Sequence, residues 1–401
     1  MSRFTRRFAV LQGFYWVSAC FVYSFAERYL TAHGFTVPQV GLVLASANAA
    51  ALLLQPLLAA LADRPNGLSL KAELCGGAAL AIVLALLLCF PTNVPVLVAV
   101  LFCTLSAVTL AIQPLCNAVG MAYVDRGERI DYALGRGIAS AIFAVFCYGM
   151  GFLAEWKTDA LLWVYAAANV GLAVTAIVFA PKKRADVKPA DVSSASALLK
   201  KHPYLRLLLP GTVLIFAVHN FINAYMLSIV SEIGCGTHEM SVGIALAALV
   251  EIPTMAGFSL LQKRFRLSGL LIVSSLAFLV KVLVLLLPMY LHAGVWSVYL
   301  SQGVQLMGYA IFIPAVSFFL NGRMDAGDKV KGQMLVTESQ TLGCILGQLV
   351  GGFAIASLGL PATTLIGCVL TAAGAGLVAL AVHHPGPDLP AGCETTEKNN
   401  G

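Results

Sequence analysis

Twelve stretches of about 20 mostly apolar residues, each long enough to cross a bilayer, follow one another along this chain. They fall at roughly 8–30, 39–61, 72–90, 95–122, 134–154, 160–180, 205–231, 241–262, 267–289, 295–320, 332–357 and 361–382. No other feature constrains the fold as tightly. Backbone N–H and C=O groups in lipid must find partners within their own segment, so every span is predicted to be an α-helix. The chain therefore reads as an all-α polytopic membrane protein. Composition agrees, with only 11% charged residues against roughly 25% in an ordinary soluble domain. Met1-Ser2-Arg3-Phe4 runs straight into a long apolar segment with no small-residue cleavage site after a short core. No removable signal peptide is expected.

Lys and Arg residues set the expected orientation. Of 25, all but Arg28, Lys157 and Lys281 fall on the side of the membrane that carries both termini. The positive-inside rule places that side in the cytoplasm and fits a bacterial inner membrane. The net charge of +6 is thus a topology signal and calls for no nucleic-acid partner. Residues 181–203 are the only long polar interruption. They divide the chain into a six-helix bundle at 1–180, a cytoplasmic linker at 181–204 and a second bundle at 205–384. A Gly-, Pro- and charge-rich tail at 385–401 is expected to be disordered. Two six-span halves around a midplane site is the plan of the major facilitator transporters.

Chemistry-bearing residues are few. Of ten cysteines, Cys20, Cys75, Cys89, Cys103, Cys116, Cys147, Cys344 and Cys368 lie within apolar spans and have no ligand spacing. They read as small hydrophobes, so no metal or other cofactor is expected. Nucleophile motifs and phosphate-binding loops are absent from the sequence, which argues against an enzyme or a primary pump. An ionisable residue at the bilayer centre costs at least ~2.5–3.5 kcal/mol and is a functional candidate by default. Glu251 in the eighth span and Lys281 in the ninth lie at similar depth with opposite sign. They are expected to pair, either as a proton-coupling couple or as a static bridge. Glu338, in a polar run with Thr337, Ser339, Gln340 and Thr341, is a second coupling candidate or an interfacial carboxylate. His219, Asn220 and Asn223 in the seventh span and Gln302 and Gln305 in the tenth are either substrate ligands or helix–helix contacts. Glycines at 343, 347, 351 and 352 have small-xxx-small spacing and suit close helix packing. Most of the aromatics that crowd the first span read as core or lipid-facing, with one or two lining a cavity.

Gly41 opens a helix that runs through Leu54-Gln55-Pro56-Leu57 to Leu61-Ala62-Asp63-Arg64. This resembles the second span and following loop of lactose permease and its oligosaccharide and nucleoside symporter relatives. The resemblance implies a cytoplasmic gate contact at Asp63 and Arg64. Asp131-Tyr132-Ala133-Leu134-Gly135-Arg136 looks like the start of the family's fifth helix. There the resemblance implies that Arg136 binds substrate hydroxyls, with Phe143 two turns on in the place of a stacking tryptophan. Three residues after Pro114 the family has an acidic partner for that arginine, but this chain has Asn117. An asparagine can bond a hydroxyl but cannot ion-pair. Glu251 and Lys281 match charged positions of the family's eighth and ninth helices. Tyr309, Phe312 and Gln340 stand where its relay has histidine, glutamate and lysine, so proton symport does not carry over automatically.

These observations point to a monomeric carrier that moves a small polar solute, a sugar, oligosaccharide or nucleoside, by alternating access with proton symport. An exporter or aromatic-acid carrier of the same fold is the alternative, and a non-transporting membrane sensor or enzyme a more distant one.

Overall fold

The computed structural model describes residues 1–62, 68–90, 94–124, 126–128, 130–181, 195–325 and 327–384. Most of the expected linker, the expected tail and the gate candidates Asp63 and Arg64 lie outside the described residues. The first half comprises α1 (Arg3–Ser24), α2 (Ala26–Ala32), α3 (Val37–Ala62), α4 (Leu70–Cys89), α5 (Pro95–Val124), α6 (Tyr132–Trp156) and α7 (Ala160–Phe179). A short helix α8 (Ala195–Lys201) precedes the second half: α9 (Leu205–Ala224), α10 (Met226–Ser231), α11 (Thr237–Arg264) and α12 (Leu267–Tyr290). This half ends with α13 (Trp296–Gly303), α14 (Tyr309–Arg323), α15 (Lys329–Leu358) and α16 (Leu360–His383). Among the described residues eleven spans are long and apolar enough to cross a membrane, or twelve if the bent pair α1–α2 is one span. Three of the expected continuous spans are broken: the first at Phe25, the seventh at Tyr225 and the tenth at a 3-10 turn, Val304–Leu306.

The halves are related by a structural repeat with an offset of 200 residues. Phe25 and Tyr225 both leave helical geometry, at φ −116°, ψ 6° and φ −114°, ψ 29°. Gly34 and Gly234 both adopt positive φ, 83° and 75°, where a Cβ would be strained. In each half this turn ends a short helix and starts a long one. The backbone bonds match as well: Phe35 N donates to Leu30 O, and Cys235 N to Val230 O. Within the first half α1 packs on α5, α6 and α7, and α3 and α4 pack on α5. Within the second, α9 packs on α15 and α16, and α12 on α14 and α16. Gly343 and Gly347 let the α15 backbone lie directly on Val213, Phe216 and Ala217 of α9. A side chain at Gly347 would meet the Ala217 carbonyl, so the small-xxx-small reading holds for this pair.

The hydrogen bonds described between the halves gather toward one end. That end, opposite the basic loops, is called here the far face. The start of α3 meets the end of α15, where Asn48 Nδ2 donates to Gln348 Oε1 at 3.0 Å and Gly352 lies against Val37 and Pro38. The end of α6 meets the start of α11, where Glu155 Oε1 accepts from His238 N at 2.8 Å and Gly151 abuts Ser241. On α15, Glu338, Thr341 and Gln348 share one stripe by helical spacing. Gln348 is in contact with α3, whereas Glu338, ten residues or about 15 Å nearer the basic face, is exposed.

At the basic face α8 is tied to the start of α15. Lys201 Nζ lies 2.6 Å from Asp328 Oδ2 and 2.7 Å from Asp325 Oδ2, and His202 Nε2 lies 3.1 Å from Asp328 Oδ2. Hydrogen bonds from Lys201 and then His202 hold the Asp328 carboxyl below its ordinary range. A depressed folded-state pKa contributes stability above the unfolded carboxylate value, and this is lost as pH falls through the folded value. Amide exchange at residues 195–201, corrected for its intrinsic pH dependence, is therefore expected to quicken below about pH 4, where an ordinary aspartate starts to protonate. Asp328→Asn should give the fast rate already at neutral pH while the helical signal stays unchanged.

Candidate functional site

Two polar clusters lie within the spans, one in each half. In the first, Gln12 of α1 and Arg136 of α6 both donate to Asn117 of α5. Gln12 Nε2 lies 3.0 Å and Arg136 Nη1 3.1 Å from Asn117 Oδ1. Asn117 follows Pro114 within α5, and its amide oxygen serves where a carboxylate would ion-pair. The Arg136 guanidinium lies over the Trp16 ring, 5.6 Å from its centroid. Phe143 stands edge-on against Trp16 at 5.8 Å, and Tyr23 stacks on Trp16 at 6.1 Å. Tyr23 Oη is 3.4 Å from Gln113 Oε1. Gln12 and Trp16 are four apart on one helix face, so α1 presents an amide and a ring together.

The second cluster is built around the break in the tenth span. The 3-10 turn between α13 and α14 turns Gln305 inward, between the two membrane charges. Its Oε1 accepts from Lys281 Nζ, and its Nε2 donates to Glu251 Oε1 at 2.6 Å. The expected Glu251–Lys281 pair thus exists through an intervening amide. This amide orientation follows from the chemistry, since an ammonium can only donate and a carboxylate accepts. Lys281 is buried, and its carbonyl accepts from Ser301 Oγ at 3.0 Å. Glu251, in the middle of α11, is half-buried. His219 stacks on Tyr309, with centroids 5.4 Å apart and planes at 18°, and its Nε2 lies 3.1 Å from Asn223 Nδ2. The other ring nitrogen, Nδ1, is buried with no hydrogen-bond partner among the described residues.

The structure therefore brings Arg136, Asn117 and Phe143 together on one side, and Glu251, Lys281, Gln305, His219 and Asn223 on the other. Asn220 is turned elsewhere, its amide donating to Phe216 O at 2.8 Å on its own helix. Glu338 belongs to neither cluster and lies nearer the basic face. Sequence reasoning missed Gln12, and it placed Trp16 and Tyr23 only among the first-span aromatics of which one or two would line a cavity. A glutamine inside an apolar run, one helical turn before a tryptophan, was the available signal. Among the described residues no group of His, Cys, Asp and Glu could hold a metal ion.

The model of the MFS_1 like family matches residues 8–364. Among curated proteins no sequence matches the chain. Solved structures of the same fold include the nucleoside transporter NupG, with a TM-score of 0.80 at 14% identity over 96% of this chain and 100% of that one. A mutant of the peptide transporter POT gives 0.70 at 12% identity over 94% and 93%. A bacterial homologue of the human lysosomal transporter Spinster, in an inward-facing and unoccupied conformation, gives 0.68 at 13% identity over 94% and 96%.

Proposed function

The chain belongs to the MFS_1 like family of the major facilitator superfamily, and from that premise we propose a proton-coupled carrier of a small polyhydroxylated solute, a sugar, oligosaccharide or nucleoside. This is a multi-pass membrane protein with the fold of secondary transporters. In the proposed cycle residues 1–180 and 205–384 are the two rocking bodies and 181–204 joins them. The basic face is cytoplasmic by the positive-inside rule, and with the inter-half bonds gathered at the far face the carrier is read as closed outward and open inward.

One observation carries the substrate reading: the Arg136 guanidinium over the Trp16 ring, with the amides of Asn117 and Gln12 beside it. A guanidinium donates in a planar fork that matches paired hydroxyl oxygens, and an indole face covers the apolar face of a sugar or base. Amides on the same side can both donate and accept. On the opposite side, His219, Asn223 and Tyr309 offer further polar edges to the same space. The NupG structure is that of a nucleoside transporter, which agrees with this class of solute.

Coupling is assigned to Glu251, Gln305 and Lys281. When Glu251 is ionised, the Gln305 amide is polarised from both ends, by an ammonium at its oxygen and a carboxylate at its nitrogen. A proton on Glu251 removes one end of that arrangement and loosens the tie between α11, α12 and the tenth span. Such a carboxyl links its protonation to the position of the helices around it.

A thermal-shift screen of sugars, oligosaccharides, nucleosides, dipeptides and aromatic acids on purified protein tests the substrate class. A ligand bound by the folded state at 100 times its Kd adds about 2.7 kcal/mol of apparent stability. Shifts confined to nucleosides or sugars are expected, and lost in Trp16→Ala. Shifts confined to aromatic acids or peptides would overturn the solute class and leave the fold and family intact.

A further inference from the structure

Glu27 is a buried carboxylate that the proposed site does not use. It lies in α2, just past the break at Phe25, and is 3% exposed. Among the described residues each hydrogen bond to its carboxylate comes from the other half. Leu227 N donates to Oε2 at 2.9 Å, Ser228 N to Oε1 at 3.2 Å and to Oε2 at 3.3 Å, and Ser228 Oγ donates to Oε1. Its neighbour Arg28 turns away toward α6, where Nη2 donates to Ala154 O at 3.4 Å. The carboxylate is therefore satisfied by main-chain donors and one hydroxyl.

The repeat explains why this contact is central. Residues 27 and 227 occupy the same position in the two halves, 200 residues apart. Equivalent positions of two related bodies touch only near the axis that relates them. Glu27 thus meets Leu227 and Ser228 at the pseudo-twofold axis, at the far face. The contacts of α3 with α15 and of α6 with α11 flank it. The second-half break also reaches the flanking contact, since Tyr225 Oη donates to Gln348 O and lies close to Gly41 and Gly352. Donors and acceptor sit on opposite bodies, so any separation at this face removes all the bonds together. The amides of Leu227 and Ser228 open a short helix and have no intrahelical partner. Without Glu27 they would need water, which is available only when the far face is open.

We propose that Glu27 is the latch of the far-face gate: a positioning residue whose bonds to Leu227 and Ser228 hold the two bodies closed there and set the balance between the two openings. The proposal rests on the alternating-access reading given above.

Amide hydrogen exchange on the purified, substrate-free full chain tests it. Glu27→Ala should speed exchange about tenfold or more at residues 226–231, the least expected for losing one hydrogen bond to a charged group. The same variant should speed the flanking far-face segments, 37–41 and 237–241, and slow exchange at 329–338 near the basic face. Ser228→Ala should move all these segments in the same directions by less, which guards against a Glu27 variant that fails to fold. Gly41→Val is the control, because its side chain would meet Tyr225 and Gln348 and wedge the same gate sterically. Reciprocal exchange in Gly41→Val, with only a local rise at 226–228 or no change in the Glu27 and Ser228 variants, would overturn the latch and leave alternating access standing. Absence of reciprocity in all three variants would overturn both.

Discussion

Glu251→Gln is expected to abolish accumulation of solute against its gradient while leaving exchange down a gradient partly intact. Glutamine keeps the shape of the side chain and can still accept from Gln305 Nε2, now 2.6 Å from Glu251 Oε1. What it loses is the ability to take and release a proton. One pH unit is worth about 1.4 kcal/mol per proton, so a one-to-one symporter concentrates an uncharged solute about tenfold per unit. In the variant that ratio should fall to about one. Counterflow, which needs binding and rocking but no net proton movement, should persist. Accumulation at the wild-type level would make Glu251 a structural group. Lys281 supplies a second arm of the same test. Removing one partner of a buried charge arrangement strands the other, typically at 3–5 kcal/mol. Lys281→Met alone should therefore destabilise the protein, and Lys281→Met with Glu251→Gln should recover stability without recovering accumulation. A double variant that regained accumulation would assign the pair to a bridge and take the coupling role from it.

Arg136→Lys should have the converse signature. The charge stays, but the fork that donates to Asn117 Oδ1 and the plane lying over Trp16 are lost. Hydrogen bonds to charged groups contribute about 1.5–3 kcal/mol, so the apparent affinity for substrate should weaken by roughly 10- to 150-fold. The final accumulation ratio at a fixed pH gradient should not change, because in the proposed cycle the stoichiometry is set at Glu251 and not at Arg136. Arg136 is half-buried, so thermal stability without ligand should move little. An unchanged KM in Arg136→Lys, or a collapse of the accumulation ratio with binding intact, would remove Arg136 from the substrate site.

Much of the fold was legible because bilayer thickness imposes one length on every span. A run of about 20 apolar residues bounded by charge has few other solutions, and each expected span corresponds to an observed helix or broken helix. The breaks were not legible to the same degree. Phe25 and Tyr225 carry no glycine or proline, and neither residue type announces a bend; the breaks became visible through the 200-residue repeat. Gly303 and Gly308 do flank the break in the tenth span, a local signal that a search for continuous helices passes over. Its consequence is chemical, since it places Gln305 between Glu251 and Lys281. Position in the middle of apolar runs marked these two charges, and helical spacing marked the face shared by His219 and Asn223. It could not rank the first-span aromatics, because a ring that stacks on substrate and a ring that packs in the core have the same spacing. Only the position of the Arg136 guanidinium separates Trp16 from its neighbours. Glu27 escaped for a related reason: it sits near a span end, where a carboxylate looks solvated, and its donors lie 200 residues away.

The central claim is that one protonatable carboxyl couples proton entry to solute movement between two rocking halves. It is tested most directly by loading wild-type proteoliposomes with the sugar or nucleoside that gives the largest thermal shift and measuring its steady-state distribution across a series of imposed pH gradients. The account predicts that the logarithm of the accumulation ratio rises in proportion to the gradient, about tenfold per pH unit for one proton per solute, and that Glu251→Gln flattens the line. A wild-type ratio that stays near one at every gradient, with solute still exchanging, would contradict proton coupling.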